Sequence, residues 1–267
     1  MRTKLTAVLI IPSLAFLVLA GTQTVVLFNQ ASALDVFADQ ASAGRQISAL
    51  IHALQQERDR SAGELAALGA GRTDAGDAMA DLQPTYLAVD DASERFRQVT
   101  APLRDSDATW RLAYARAEEA LGRLPEIRAA LPASVANANA VLIDYNRIID
   151  ALLALLAAPS PGVEEAQLTD AVLRHVQFAR IKEITSRIRA QLYAAGRANR
   201  YEADDLVELT DLRAQLLTAI AEFRSAATDR QVARYEQVAE DAAFRAATQL
   251  EESTIAVGDN TPAVLEP

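Results

Sequence analysis

Apolar positions recur along this chain at steps of three and four residues, the spacing that lines one face of a helix. From residue 31 onward the pattern reads as helix after helix. A first helix runs to about Leu68 and stops at Gly69-Ala70-Gly71. Asp74 starts a second, which Pro84 is expected to break or kink, and which continues past Tyr86, Val89, Phe96 and Val99 to Pro102. Ser106 or Asp107 can cap a third, carrying Trp110 and Tyr114 to Leu121. Pro125 and Pro132 bracket a short piece. Ser134 caps a strongly apolar helix with Val141, Leu142, Tyr145, Ile148, Ile149, Leu152, Leu153 and Leu156. Pro159-Ser160-Pro161-Gly162 reads as a linker. Beyond it come a long helix from about Glu164 to Ala195, a turn from Gly196 to Tyr201, and helices over Ala203–Ala227 and Asp229–Leu250. Residues 251–267 are poorly patterned and expected to be loose.

The two sides of the linker share a plan. Each has a long arginine-bearing helix, a glycine-containing turn, and a helix ending in a Phe-Arg pair, Phe96-Arg97 and Phe223-Arg224. The expected fold is all-α, with two packed antiparallel bundles whose halves lie at about 31–158 and 163–250.

The N-terminal stretch differs. Arg2 and Lys4 precede an uncharged run from Leu5 to Leu34. As a helix, residues 5–28 would span roughly 36 Å, more than the hydrocarbon of a bilayer. The pattern predicts a transmembrane anchor over residues 1–30, touching lipid through 5–28. The basic flank would lie in the cytoplasm, and residues from about 31 outside it, at the cell membrane. A cleaved signal peptide is the rival reading, since Ala31-Ser32-Ala33 fits a cleavage pattern.

Composition narrows the function. The absence of cysteine excludes disulfides, thiolate metal sites and cysteine nucleophiles. A net charge of −10 argues against a nucleic-acid binder. No phosphate loop, nucleophile elbow or metal-ligand cluster appears, so neither enzyme chemistry nor a cofactor is expected. His52 and His175 read as structural, and Asp90-Asp91 and Asp204-Asp205 as solvated helix-start charges.

Nearly every cation is arginine, since Lys4 and Lys182 are the two lysines. One arginine sits where a hydrophobe belongs. Ile47, Ile51, Leu54, Arg58, Ser61, Leu65 and Leu68 form a heptad seam, and Arg58 interrupts it. A buried arginine is costly unless paired. Glu57 points elsewhere on the helix, so an acid from another helix or a bound anion must satisfy Arg58. In the long helix after the linker, Leu173, Ile181, Ile184, Ile188 and Leu192 form the main stripe. A second face carries Phe178, Thr185, Arg189 and Tyr193, which would bury Arg189 if covered. Arg245 repeats a seam spacing with Tyr235, Val238 and Ala242. Spacing alone leaves two readings open: internal salt bridges, or a small anion held by converging guanidinium forks.

The run Ile51-His-Ala-Leu-Gln-Gln-Glu-Arg-Asp-Arg-Ser-Ala-Gly-Glu-Leu-Ala66 resembles the first-helix signature of nitrate- and nitrite-sensing domains, found in bacterial sensor histidine kinases of actinobacterial type. Arg180-Ile-Lys-Glu-Ile-Thr-Ser-Arg-Ile-Arg-Ala190 resembles the family's Lys-Glu…Arg-Ala helix. Ala221-Glu-Phe-Arg-Ser-Ala-Ala227 with Tyr235 resembles its later pattern. The resemblance implies two packed four-helix bundles with nitrate or nitrite bound by arginines between them. Carried over, it points to Arg58 and Arg189, with Arg187 competing for the second position and Arg230, Arg234 or Arg245 for the last helix. It implies the extracytoplasmic input domain of a sensor kinase, expected as a homodimer. The alternative is an anchored structural or protein-interaction bundle without a small-molecule ligand.

Overall fold

The computed structural model describes residues 41–104, 108–133, 138–158, 166–201 and 203–257. Every regular element among them is helical: α1 (described over 41–69), α2 (Ala75–Thr100), α3 (Ala108–Gly122), α4 (Leu124–Ala130), α5 (Ala138–Leu156), α6 (Ala166–Ala198), α7 (Ala203–Ala226), α8 (Asp229–Ala239) and α9 (Ala242–Val257), with short 3-10 turns at Ala101–Leu103 and Leu131–Ala133.

The helix ends follow the residues available to close them. After α1, the Arg72 amide donates to the Ala67 carbonyl at 2.8 Å and the Gly71 amide to Leu68 at 3.0 Å, with Gly71 at φ 65°. This pair of bonds needs a left-handed residue, which glycine supplies without strain. The same closure ends α6, where Arg200 donates to Ala195 and Asn199 to Gly196. There Asn199 takes the left-handed turn at φ 58°, so Gly196 lies inside the helix rather than starting the turn. The Asp74 carboxylate accepts the Asp77 amide and caps α2. Thr228 and Gln231 form a capping box at α8.

Three expectations need revision. Pro84 does not break α2, which runs through it to Thr100. The last predicted helix is two helices, α8 and α9, parted at Glu240 and Asp241. Helix α9 also continues to Val257, past the predicted end at Leu250.

The apolar stripes find their partners in two main cores. The first gathers α1 to α5 with Val176 of α6, and all eight predicted apolar residues of α5 are buried in or beside it. Burial of each such side chain contributes about 1.5–3 kcal/mol. Phe96 stacks on Tyr114 here, with centroids 5.8 Å apart. The second core joins α6 to α7, α8 and α9 through Ile181, Ile188, Leu192, Leu209, Leu212, Leu216 and Phe223. Between them lies a patch of small residues, Ala62 of α1 with Ala190 and Ala194 of α6, beside Leu142 of α5. Small side chains there let α1 approach α6 so closely that a Cβ on Gly63 would fall 2.3 Å from the Tyr193 ring.

Among the described residues no helix is long and apolar enough to cross a membrane. The predicted anchor over 5–28, the Ala31-Ser32-Ala33 motif and the caps at Ser106, Asp107 and Ser134 lie outside the described residues.

Candidate functional site

Helix α1 is buried almost all round, and its polar middle is buried too. Gln55, Glu57, Arg58, Asp59, Ser61 and Glu64 are each at most 6% exposed. Charges so placed must be neutralised within the fold. They are: Glu64 pairs with Arg197 of α6, and the others are satisfied in two directions.

Arg58 points toward α5 and α6 and is fully buried. Its Nη1 donates to Glu183 Oε1 at 2.8 Å and to Asn146 Oδ1 at 2.7 Å. Its Nη2 donates to Ser186 Oγ at 2.8 Å, and its Nε to Asp59 Oδ1 at 3.1 Å. Glu183 is gripped from other sides as well. Arg187 Nε donates to Oε1 at 2.8 Å, and Gln55 Nε2 to Oε2 at 2.6 Å. Arg187 also reaches Asp150 at 2.6 Å, and Arg189 reaches Asp59 Oδ2 at 2.7 Å and Ser186 at 3.0 Å. Three guanidinium groups thus converge where α1, α5 and α6 meet.

Burial pushes the Asp59 carboxyl above its usual range, although Arg58 and Arg189 pull it down. Burial and the neighbouring Glu183 charge likewise raise Asp150 against the pull of Arg187. Lys182 is lowered by burial and by the Arg189 charge. For Arg187, burial favours losing the proton, but Glu183 and Asp150 more than offset it.

Glu57 points the other way, as the helix geometry predicts. Arg128 of α4 holds both its oxygens at 2.8 Å, and the Tyr145 hydroxyl donates to Oε1 at 2.6 Å. Arg128 also reaches Asp90 at 2.7 Å and lies 4.6 Å above the Tyr86 ring. Asp90 therefore sits in mid-α2 as a partner of Arg128, and Asp91 pairs with Arg95, so neither is a helix-start charge.

Arg58, Arg187 and Arg189 are brought together. Their exposures rank them, because the Arg187 side chain is 24% exposed and that of Arg189 55%. The second face of α6 is only partly covered, with Phe178 at 44% and Tyr193 at 39% exposed, and Arg189 meets solvent there. Arg245 stands apart on α9, exposed, and α9 packs on α7 and α8. Arg230 and Arg234 are exposed on α8, with Arg234 bonded to Gln237. His52 and His175 are exposed, and His52 shares a hydrogen bond with Gln56.

Sequence reasoning missed the acceptors Glu183, Ser186, Asn146 and Asp59. The separation of Glu183 from Arg187, one turn of one helix, was the available signal. Asp59 was overlooked because adjacent residues rarely face each other, yet the long Arg58 side chain curls back to it.

A family model for nitrate and nitrite sensing matches residues 49–265. No curated protein matches. A solved structure, that of the NasR transcription antiterminator, is similar with a TM-score of 0.70 at 22% identity. That likeness covers 80% of this chain and 57% of the other, so this chain spans little more than half of it. The similar structure is that of a transcription antiterminator. Together with the lack of a spanning helix among the described residues, this withdraws the placement at a cell membrane with the domain outside. With a matched region covering most of its length, the chain belongs to the nitrate and nitrite sensing family.

Proposed function

We propose that this chain is the sensory input part of a signalling protein, that it is non-catalytic, and that it binds nitrate or nitrite where α1, α5 and α6 meet. The observation that carries the reading is the convergence of Arg58, Arg187 and Arg189, with Arg58 wholly buried. A guanidinium offers paired N–H donors in one plane, which suits a planar oxyanion. Within this reading Arg58 and Arg187 are the main ligand groups and Arg189 lies at the mouth. Arg245 would need a second copy or a rearrangement to take part. The domain follows a plan of two packed bundles and acts as a homodimer. It feeds an output part, which we read as a histidine kinase.

The test is calorimetric titration of the protein with nitrate and nitrite, with chloride as the control. Arg58→Lys keeps the charge but loses the fork, and the reading expects affinity to fall on the order of tenfold or more. A wild-type protein that takes up neither anion at millimolar concentration removes the reading.

A second reading, a structural bundle without a ligand, has one observation in its favour. Arg58 is already paired with Glu183, Asp59, Asn146 and Ser186. The same titration separates the two.

A further inference from the structure

We propose that Glu183 is a built-in competitor for the anion, whose carboxylate fills the seat the ligand must take and is released from Arg58 when the ligand binds. This deepens the anion-sensing reading and rests on it.

The first ground is shape. Three donors from two helices close on Glu183: Arg58 Nη1, Arg187 Nε and Gln55 Nε2, at 2.8, 2.8 and 2.6 Å. A carboxylate presents a planar edge of two oxygens sharing one negative charge, and nitrate and nitrite present the same edge. The donor set that holds Glu183 is therefore a donor set for either anion.

The second ground is charge. Among the groups in direct contact, Arg58, Arg187 and Arg189 face Glu183, Asp59 and Asp150, so positive and negative charges balance there; Lys182 adds an exposed charge at the rim without bonding to the set. Adding a further anion at its buried centre, the Arg58–Glu183 pair, leaves an uncompensated negative charge where low dielectric makes it costly. Binding is favourable once a carboxylate leaves. Asp150 is 57% exposed on its side chain and bonds Arg187 alone among these arginines. Glu183 is the carboxylate that both Arg58 and Arg187 hold.

The third ground is consequence. Glu183 and Ser186 are the α6 groups that Arg58 binds. Losing the Glu183 bond loosens α6 from α1, while the Arg128 fork keeps α1 fixed to the first core through Glu57. The change therefore falls on α6, the helix that packs along α7 in the second core. An internal competitor also lowers apparent affinity by the fraction of molecules in which the seat is free.

The experiment is Glu183→Gln in the full chain, titrated with sodium nitrate, sodium nitrite and sodium chloride. Glutamine keeps the shape and removes the charge. The Kd for nitrate or nitrite is expected to fall roughly tenfold or more, and by more than the Kd for chloride, which lacks the planar edge. Equal or weaker binding in a folded variant overturns the competitor and leaves the anion site standing. Binding by neither protein overturns the competitor together with the site. Should the glutamine variant fold only in added nitrate, that rescue supports the proposal. Should it not fold at all, Glu183→Asp decides, because the shorter side chain keeps the charge but retreats from Arg58. Tighter nitrate binding by this variant supports the competitor, and unchanged affinity overturns it.

Discussion

Glu57 and Arg58 are neighbours on one helix, and each is the hub of a buried charge network, yet the networks are built differently. Around Glu57 the carboxylate itself is closed off, although Arg128 also reaches the exposed Asp90. A single arginine takes both carboxylate oxygens, a phenol completes the set, and an aromatic ring covers the cation. Around Arg58 the partners are shared. Glu183 answers to two arginines and a glutamine, and Ser186 to two arginines. A closed pair has one good arrangement. A shared one has several of similar energy, so it suits a site that must change. Helix α5 serves both, giving Tyr145 to one hub and Asn146 to the other.

The comparison breaks most visibly in stability. Arg128→Met would strand the Glu57 carboxylate, 0% exposed, with a phenol as its remaining partner. Removing one partner of such a buried pair costs about 3–5 kcal/mol. Arg187→Gln leaves Glu183 still held by Arg58 and Gln55, so the loss expected there is smaller, about 1.5–3 kcal/mol for a bond to a charged group. Urea unfolding of the two variants measures both. Equal losses would mean that the shared network is as rigid as the closed one.

A smaller effect tests the junction itself. Gly63 admits α6 against α1, and a Cβ there would sit 2.3 Å from Cε1 of Tyr193 and 3.2 Å from Cγ of Arg197. Gly63→Ala therefore forces the ring aside. Tyr193 is 39% exposed and can swing, which limits the expected loss to about 1–3 kcal/mol. The double variant with Tyr193→Ala should recover most of it in thermal unfolding. If it does not, the strain lies in the backbone of α1 rather than at the ring.

The comparison also explains what the sequence could tell. The seam of α1 was legible because periodicity reports burial, and Arg58 stood out as its misfit. The apolar face of α5 was legible for the same reason. The acceptors were not, because Glu183, Asn146 and Asp59 lie at ordinary polar positions, and only packing turns them inward. The burial of Arg189 hung on a cover for the second apolar-looking face of α6, and that cover is only partial among the described residues. Pro84 did not break α2, since that helix has a buried stripe from Ala78 to Thr100 to hold it together. The Glu57 network left no trace in spacing, as its members come from α1, α2, α4 and α5.

The two networks should also part company in pH, by the smallest effect. Around Glu57, burial first and the Glu57 charge second push the Tyr86 phenol up from 10.0 to about 12, against the pull of Arg128. An acid with a raised folded pKa holds its proton longer folded than unfolded. Its share of stability is intact below pH 10, falls as pH rises from about 10 to about 12, and is fully lost above. Around Arg58 the sensitive end is acidic. Asp59 and Asp150 are raised from 3.8, so at neutral pH the folded state bears the burden of burying their ionised forms. Acidification through their folded values relieves it, and the relief is complete below the unfolded value. Absorbance titration of the phenols, compared with Tyr86→Phe, should lose a step near pH 12. Losing one near pH 10 instead would mean that Tyr86 is solvated. The closed network would then be open to water at the same edge as its neighbour, and the contrast between the two hubs would rest on geometry alone.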